Sequence, residues 1–163
     1  MSDFDGLGSI LALVMDVDGV LTDGTFAWSG LDGESKQFSF EDVMGLSRAR
    51  KSGMTLGLIS GEESILVDRF AAKTGIAYVA TGCKDKGAAL QRFAESTGIA
   101  LRHIAFIGDD VNDLPALAIA GLSAAPANAQ PSVKAAVALV LDRSGGRGAV
   151  RQLIEMILAA RAT

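Results

Sequence analysis

Three observations on this 163-residue chain predict a three-layer α/β fold built on a parallel sheet. Short apolar runs alternate with helical stretches along its length. Those runs are apolar nearly throughout rather than at every second residue, as strands covered on both faces must be. Four helical stretches each end at a glycine, where a left-handed terminal residue is wanted. Together these point to βα units wound on both sides of one sheet.

Taken in order, "ILALVMDV" (10–17) is the first buried strand. The segment 25–40, "TFAWSGLDGESKQFSF", interrupts the alternation with two β-like runs around a Gly/Asp turn. It reads as a small hairpin projecting over the acidic loop before it. "DVMGLSRARKS" then reads as a helix ending at Gly53, and "TLGLIS" as the next strand. "ESILVDRFAAKT" ends at Gly75 and leads to the strand "IAYVA". "DKGAALQRFAEST" ends at Gly98 before "HIAFIGD", whose His103 is read as a core or edge residue. "NDLPALAIA" ends at Gly121 and is followed by the strands "GLSAAPA" and "AVALVLD". The last stretch, 144–163, has glycines expected to be mobile and then a helix with apolar positions at helical spacing. No repeat or linker divides the chain, so residues 1–163 are expected to form a single domain.

Composition narrows the class of function. A formal net charge of −4 argues against non-specific nucleic-acid binding. Cys83 is the only cysteine, so no internal disulfide can form and a reducing compartment fits. The start "MSDFDGLGS" is acidic, unlike a secretory signal, and no apolar run nears the roughly 18 residues of a membrane span. A cytoplasmic protein with no membrane partner is expected.

The chemistry gathers at strand ends. Asp16 and Asp18 follow the first strand, Ser60 and Gly61 follow "TLGLI", Lys86 opens a helix, and "GDDVND" (108–113) follows "HIAFI". Parallel strands bring their carboxyl ends to one edge, where ligands bind in such folds. Two acids ending a buried strand repel each other and lose hydration. A hard cation such as Mg²⁺, held by carboxylate oxygens, relieves both costs. A hydroxyl, backbone amides and an amine suit the oxygens of a phosphoryl group. The set therefore reads as a phosphoryl-transfer site with Asp16 as nucleophile and Asp18 as acid and base. Ser60, Gly61 and Lys86 then hold the equatorial oxygens.

"DVDGVLTDG" (16–24), "ISG" (59–61), Lys86 and "GDDVND" resemble the four motifs of the haloacid dehalogenase superfamily, over nearly the whole chain. The resemblance implies a Rossmann-like sheet and a Mg²⁺-dependent phosphatase. In its pattern Asp16, Asp109 and the backbone carbonyl of Asp18 are metal ligands, Asp113 is a supporting residue and Asp110 a neighbour. No stretch is long enough for a cap domain. The short hairpin and "GGRGAVR" (145–151) resemble the capless branch, which acts on sugar-acid phosphates and forms homotetramers whose neighbours help enclose the site. Arg147 in that stretch becomes a candidate substrate ligand.

Two departures bear on the substrate. The branch's octulosonate 8-phosphate phosphatases typically carry an Arg after the motif glycine, where this chain has Glu62, and "RDGYG" is replaced by "EDVMG" (41–45). Glu62 with Lys73 resembles the nine-carbon branch, so a nonulosonate 9-phosphate is the expected substrate and octulosonate 8-phosphate the alternative. Glu62 and Lys73, eleven residues apart, would lie about 16 Å apart on a continuous helix. Glu62 is thus expected to face its own site, accepting bonds from sugar hydroxyls, and Lys73 a neighbour's, holding a carboxylate. A non-catalytic module of a sialate cytidylyltransferase system is the reading from another class, opposed by the intact acids and Lys86.

Overall fold

A computed structural model describes residues 6–30 and 33–163. Six parallel strands form one sheet in the order β5-β4-β1-β6-β7-β8. They are β1 (Ala12–Met15), β4 (Thr55–Ile59), β5 (Tyr78–Ala80), β6 (Ile104–Ile107), β7 (Leu122–Ala125) and β8 (Leu139–Val140). β1 is central, paired with β4 on one side and β6 on the other. All four of its side chains are buried, which is why it reads as an unbroken apolar run.

Helices cover both faces. On one lie α1 (Phe40–Lys51), α2 (Ile65–Thr74) and α6 (Ala149–Arg161), packing Leu46, Val67, Phe70 and Ile154 against Leu13, Met15 and Leu58. On the other lie α3 (Lys86–Thr97), α4 (Leu114–Ile119) and α5 (Pro131–Ala136), packing Leu90, Phe93, Leu117 and Val133 against Val14, Ile59 and Phe106. Alternate residues of β1 thus feed opposite cores. Fully burying one such side chain contributes about 1.5–3 kcal/mol. Ser39, Ser64 and Asp85 cap the N-termini of α1, α2 and α3 through their side chains.

Several expectations need correction. The hairpin is shorter than 25–40: β2 (Ala27–Ser29) pairs with β3 (Gly33–Ser35), and Phe40 already belongs to α1. Residues 31 and 32 of its turn lie outside the described residues. Gly53, Gly75 and Gly98 do take positive φ, but Gly121 does not. Gly121 is required for another reason: a Cβ there would stand 2.1 Å from the carbonyl oxygen of Arg102. "NDLPALAIA" divides into a 3₁₀ turn at Val111–Asp113 and α4. Helix α5 falls in a stretch with no expected element. His103 stays at the sheet's far edge, its Nδ1 2.9 Å from the Ser9 carbonyl.

The glycines after β8 are docked rather than mobile. The Gly145 amide donates to Asn128 Oδ1 at 2.7 Å, and the Asn128 amide donates to the Gly19 carbonyl at 3.0 Å. The Gly146 amide donates to the Val20 carbonyl. Asn128 therefore clamps the loop after β1 onto the segment before α6. A Cβ on Gly145 would lie 2.0 Å from the Gly19 oxygen and 2.7 Å from the Thr22 oxygen. Gly145→Ala should therefore cost about 1–3 kcal/mol, the usual range for overpacking a filled site. Urea unfolding measures this, and an unchanged midpoint would show that the loop yields freely.

Candidate active site

The carboxyl ends of β1, β4 and β6 meet over a cleft of about 270 Å³ lined by Asp16, Asp18, Gly61, Glu62, Lys86 and Asp109, with Lys36, Asn112, Phe26 and Gly24. Asp16 directly follows β1, and its amide extends the ladder to the Ile107 carbonyl at 3.1 Å. Its side chain is only 8% exposed. The chain then turns sharply. Gly19 has φ +84°, and a Cβ on it would sit 1.9 Å from Asp109 Oδ2. Glycine is thus required at 19 both by the backbone and by the acid across the cleft. Thr22, fully buried, accepts from the Gly19 and Gly24 amides and closes the loop on itself.

Lys86 is the first residue of α3, and its side chain reaches beneath Asp16. Its Nζ donates to Asp16 Oδ1 at 2.7 Å and to Asp113 Oδ1 at 2.6 Å. Asp113 uses its other oxygen, Oδ2, to accept the amides of Asp109 at 2.9 Å and Asp110 at 3.2 Å. The fully buried Asp113 therefore has no oxygen without a donor. It fixes Lys86 on one side and the 109–110 backbone on the other. Asp110 turns back to accept the Val111 amide as the local cap.

Asp16, Asp109 and Asp113 each place a carboxylate oxygen within 4.8 Å of the other two. Burial, then the neighbouring Asp113 charge, pushes Asp16 up to about 6 despite Lys86. Burial, then Asp16 and Asp113, pushes Asp109 up to about 8. Burial alone would lower the Lys86 ammonium, but Asp16 and Asp113 together raise it above its ordinary value. Three acids against one ammonium leave an excess of negative charge, and with Asp113 fully bonded it falls on Asp16 and Asp109. A donor set of hard carboxylate oxygens fits a hard divalent cation.

The Asp18 carboxylate is not part of this cluster. It turns the other way, to the ammonium of Lys36 at 2.5 Å. Ser60 is buried beneath the cleft, and its hydroxyl accepts the Glu62 amide at 3.3 Å. Glu62 lines the cleft from the loop before α2 rather than from the helix, so the three-turn helical spacing to Lys73 does not apply. Lys73 lies in an adjacent groove with Phe38, Phe70 and Leu66, its ammonium 5.7 Å from the Phe40 ring centre. Arg147 lies in a third hollow, with Asp23, Gln37 and Ser39. Neither residue lines the cleft. The residue that sequence reasoning missed is Lys36. A lysine just past a polar hairpin looks solvated, and only the fold shows its side chain to be 1% exposed.

Residues 63–153 match the family model of haloacid dehalogenase-like hydrolases. The chain is 35% identical over 153 residues to the 3-deoxy-D-manno-octulosonate 8-phosphate phosphatase of Salmonella typhi, covering 94% of this chain and 81% of that one. The chain belongs to this family of hydrolases. Within it, the fold matches the structure of the Moraxella catarrhalis octulosonate 8-phosphate phosphatase in complex with magnesium, phosphate and the sugar acid. The TM-score is 0.94, with 37% identity over 96% of this chain and 90% of that one. It also matches the cobalt-bound Haemophilus influenzae phosphatase, with TM-score 0.93 and 37% identity over 96% and 92%. The expected capless haloacid dehalogenase fold and phosphoric monoester hydrolase class are both those of the family. These relatives favour the eight-carbon alternative over the nine-carbon reading. Among the described residues no helix is long and apolar enough to cross a membrane.

The raised carboxyls set a pH dependence for the metal-free protein. Unfolded, Asp16 and Asp109 titrate near the ordinary value of about 4. Folded, they hold protons up to about 6 and about 8. The folded state thus binds more protons across that window, and stability is lost as pH rises through it. In chelator, the melting temperature should fall by several degrees from pH 5 to pH 8, and a divalent cation should restore more at pH 8. A flat or rising profile would contradict the excess of negative charge.

Proposed function

We propose that the chain hydrolyses the phosphate monoester of a 2-keto-3-deoxy sugar acid through an aspartyl-phosphate at Asp16, with octulosonate 8-phosphate as the first candidate. The observation that carries this reading is the position of Asp16. It ends the central strand, is held by Lys86 and opens onto a cleft of a size for one small ester. The octulosonate 8-phosphate phosphatases among its relatives support the sugar acid.

In this reading Asp16 and Asp109, with the Asp18 backbone carbonyl that the family pattern adds, hold Mg²⁺. Bound there, the ion neutralises charge between the nucleophile and the phosphoryl oxygens. Asp16 attacks phosphorus, and the bond from phosphorus to the ester oxygen breaks as Asp18 gives that oxygen a proton. Water then attacks phosphorus, passes its proton to Asp18, and the bond to Asp16 breaks, restoring both acids. Lys86, Ser60 and the Gly61 amide hold the equatorial oxygens. Asp113 takes no part in bond changes and holds Lys86 in place. Glu62, at the cleft mouth, accepts bonds from sugar hydroxyls. Its carboxylate, together with Lys73, is what favours a nine-carbon acid.

A phosphate-release screen over octulosonate 8-phosphate, nonulosonate 9-phosphate and simple sugar phosphates tests this. Turnover should need Mg²⁺ and vanish in chelator. Asp16→Asn should lower it by about four to six orders of magnitude with the fold retained, the scale of nucleophile losses elsewhere. Near wild-type release by that variant would sink the covalent route. A preference for the nine-carbon ester would favour the Glu62 reading.

We also propose a homo-oligomer, a tetramer in the expected form, in which Lys73 and Arg147 serve a neighbour's site. Phe26, Trp28 and Phe40 are 55%, 75% and 80% exposed; Phe26 lines the cleft, the Trp28 ring stands 5.3 Å from it, and Phe40 lines the adjacent groove. Apolar surface of that kind marks contact between chains. Sedimentation should show an assembly at micromolar concentration, and a fully active monomer would contradict it.

A further inference from the structure

The reaction as drawn leaves one ammonium at the cleft unused. Lys36 follows β3, and its side chain is 1% exposed. Among the described residues, three carboxylates from three segments face its ammonium: Asp18 at 2.5 Å, Glu34 at 3.2 Å and Glu62 at 4.0 Å. The bond to Asp18 is the aligned one. Glu34 Oε1 lies off the hydrogen-bonding direction and, among the described residues, has no donor in its buried position. A lysine placed so has lost its water and depends on these acids.

Asp16 and Asp18 are two residues apart, and each has its own ammonium. Lys86 holds Asp16 inward over the 108–113 loop. Lys36 holds Asp18 outward, toward the cleft mouth where Glu62 and Phe26 stand. One Asp18 oxygen, Oδ1, takes the Lys36 bond, so the other is the oxygen left to face a leaving group. Lys36 lines the cleft and the neighbouring apolar groove alike, so it also links the hairpin to the site.

The geometry points to Lys36 as the positioning residue of the acid: it keeps the Asp18 carboxylate apart from the nucleophile's cluster and aimed at the ester oxygen. This rests on the aspartyl-phosphate reading above. A positioned acid matters most where the leaving group is poor and little where it departs as a stable anion.

The test measures the rate of enzyme phosphorylation by rapid quench, with Mg²⁺ present, for two esters. Octulosonate 8-phosphate releases an alkoxide-type group, and p-nitrophenyl phosphate releases a stabilised phenolate. Lys36→Met should slow phosphorylation by the sugar ester about 100-fold, the lower range for a lost acid. Its loss with the aryl ester should be at least tenfold smaller. Lys36→Arg, which keeps the charge, should recover much of the difference. In the Asp18→Asn background, Lys36→Met should cost the sugar ester little more, because the two act as one unit. Equal losses on both esters, or full additivity with Asp18→Asn, would overturn the proposal. Should Lys36→Met fail to fold, Lys36→Gln, which also removes the charge, takes its place in the comparison between esters, and equal losses on both would overturn the proposal. Wild-type protein that forms no phosphoenzyme with either ester would instead defeat the covalent reading, and this proposal with it.

Discussion

Everything at the cleft depends on the buried ammonium of Lys86 standing between Asp16 and Asp113. Three carboxylates crowd within 4.8 Å at the end of a fully apolar strand. Without a cation among them, Asp16 and Asp113 would be buried charges with no opposite charge beside them, a cost of several kcal/mol each. Lys86 answers for two of them at 2.7 and 2.6 Å. Its place is fixed by the helix it begins: Asp85 caps α3, and Gly87 lets the helix approach Pro115, which a Cβ would meet at 3.1 Å. The position of Asp16 is thus set by a helix start and not by a flexible loop.

The second constraint is the tight closure of the loop after β1. Gly19 admits the Asp109 carboxylate, Thr22 ties the turn, and Asn128 with Gly145 clamps it from below. Asp16 and Asp18 therefore emerge from one rigid turn yet face different ammoniums. A capless chain leaves this turn open to solvent on its outer side. Of the exposed aromatic residues, Phe26 lines the cleft and Phe40, at the start of α1, lines the groove beside it.

Much of this was legible in the sequence because a parallel sheet brings its strand ends to one edge. Four strand-end motifs therefore converged as expected, and Lys86 was placed at a helix start. What stayed hidden was side-chain direction. Asp113 read as a supporting residue, but nothing in the sequence told that its two oxygens brace Lys86 and the 109–110 amides. Lys36 carried no signal, since burial of a long polar side chain depends on elements distant in sequence. Lys73 and Arg147 were assigned to substrate by resemblance, but the direction of α2 and the turn before α6 take them into other hollows. Helix α5 escaped because its six residues give too short a stretch to show a period. The glycines at 145–148 looked like a mobile tail because composition does not reveal what a backbone packs against.

The most direct measurement of the central claim is peptide mass spectrometry after acid quench during turnover with Mg²⁺. The peptide containing Asp16, and no other, should gain the mass of one phosphoryl group. Addition of excess hydroxylamine, which cleaves acyl phosphates, should remove it. Steady phosphate release with no modified peptide at any quench time, or a phosphoryl group on a different residue, would contradict the account.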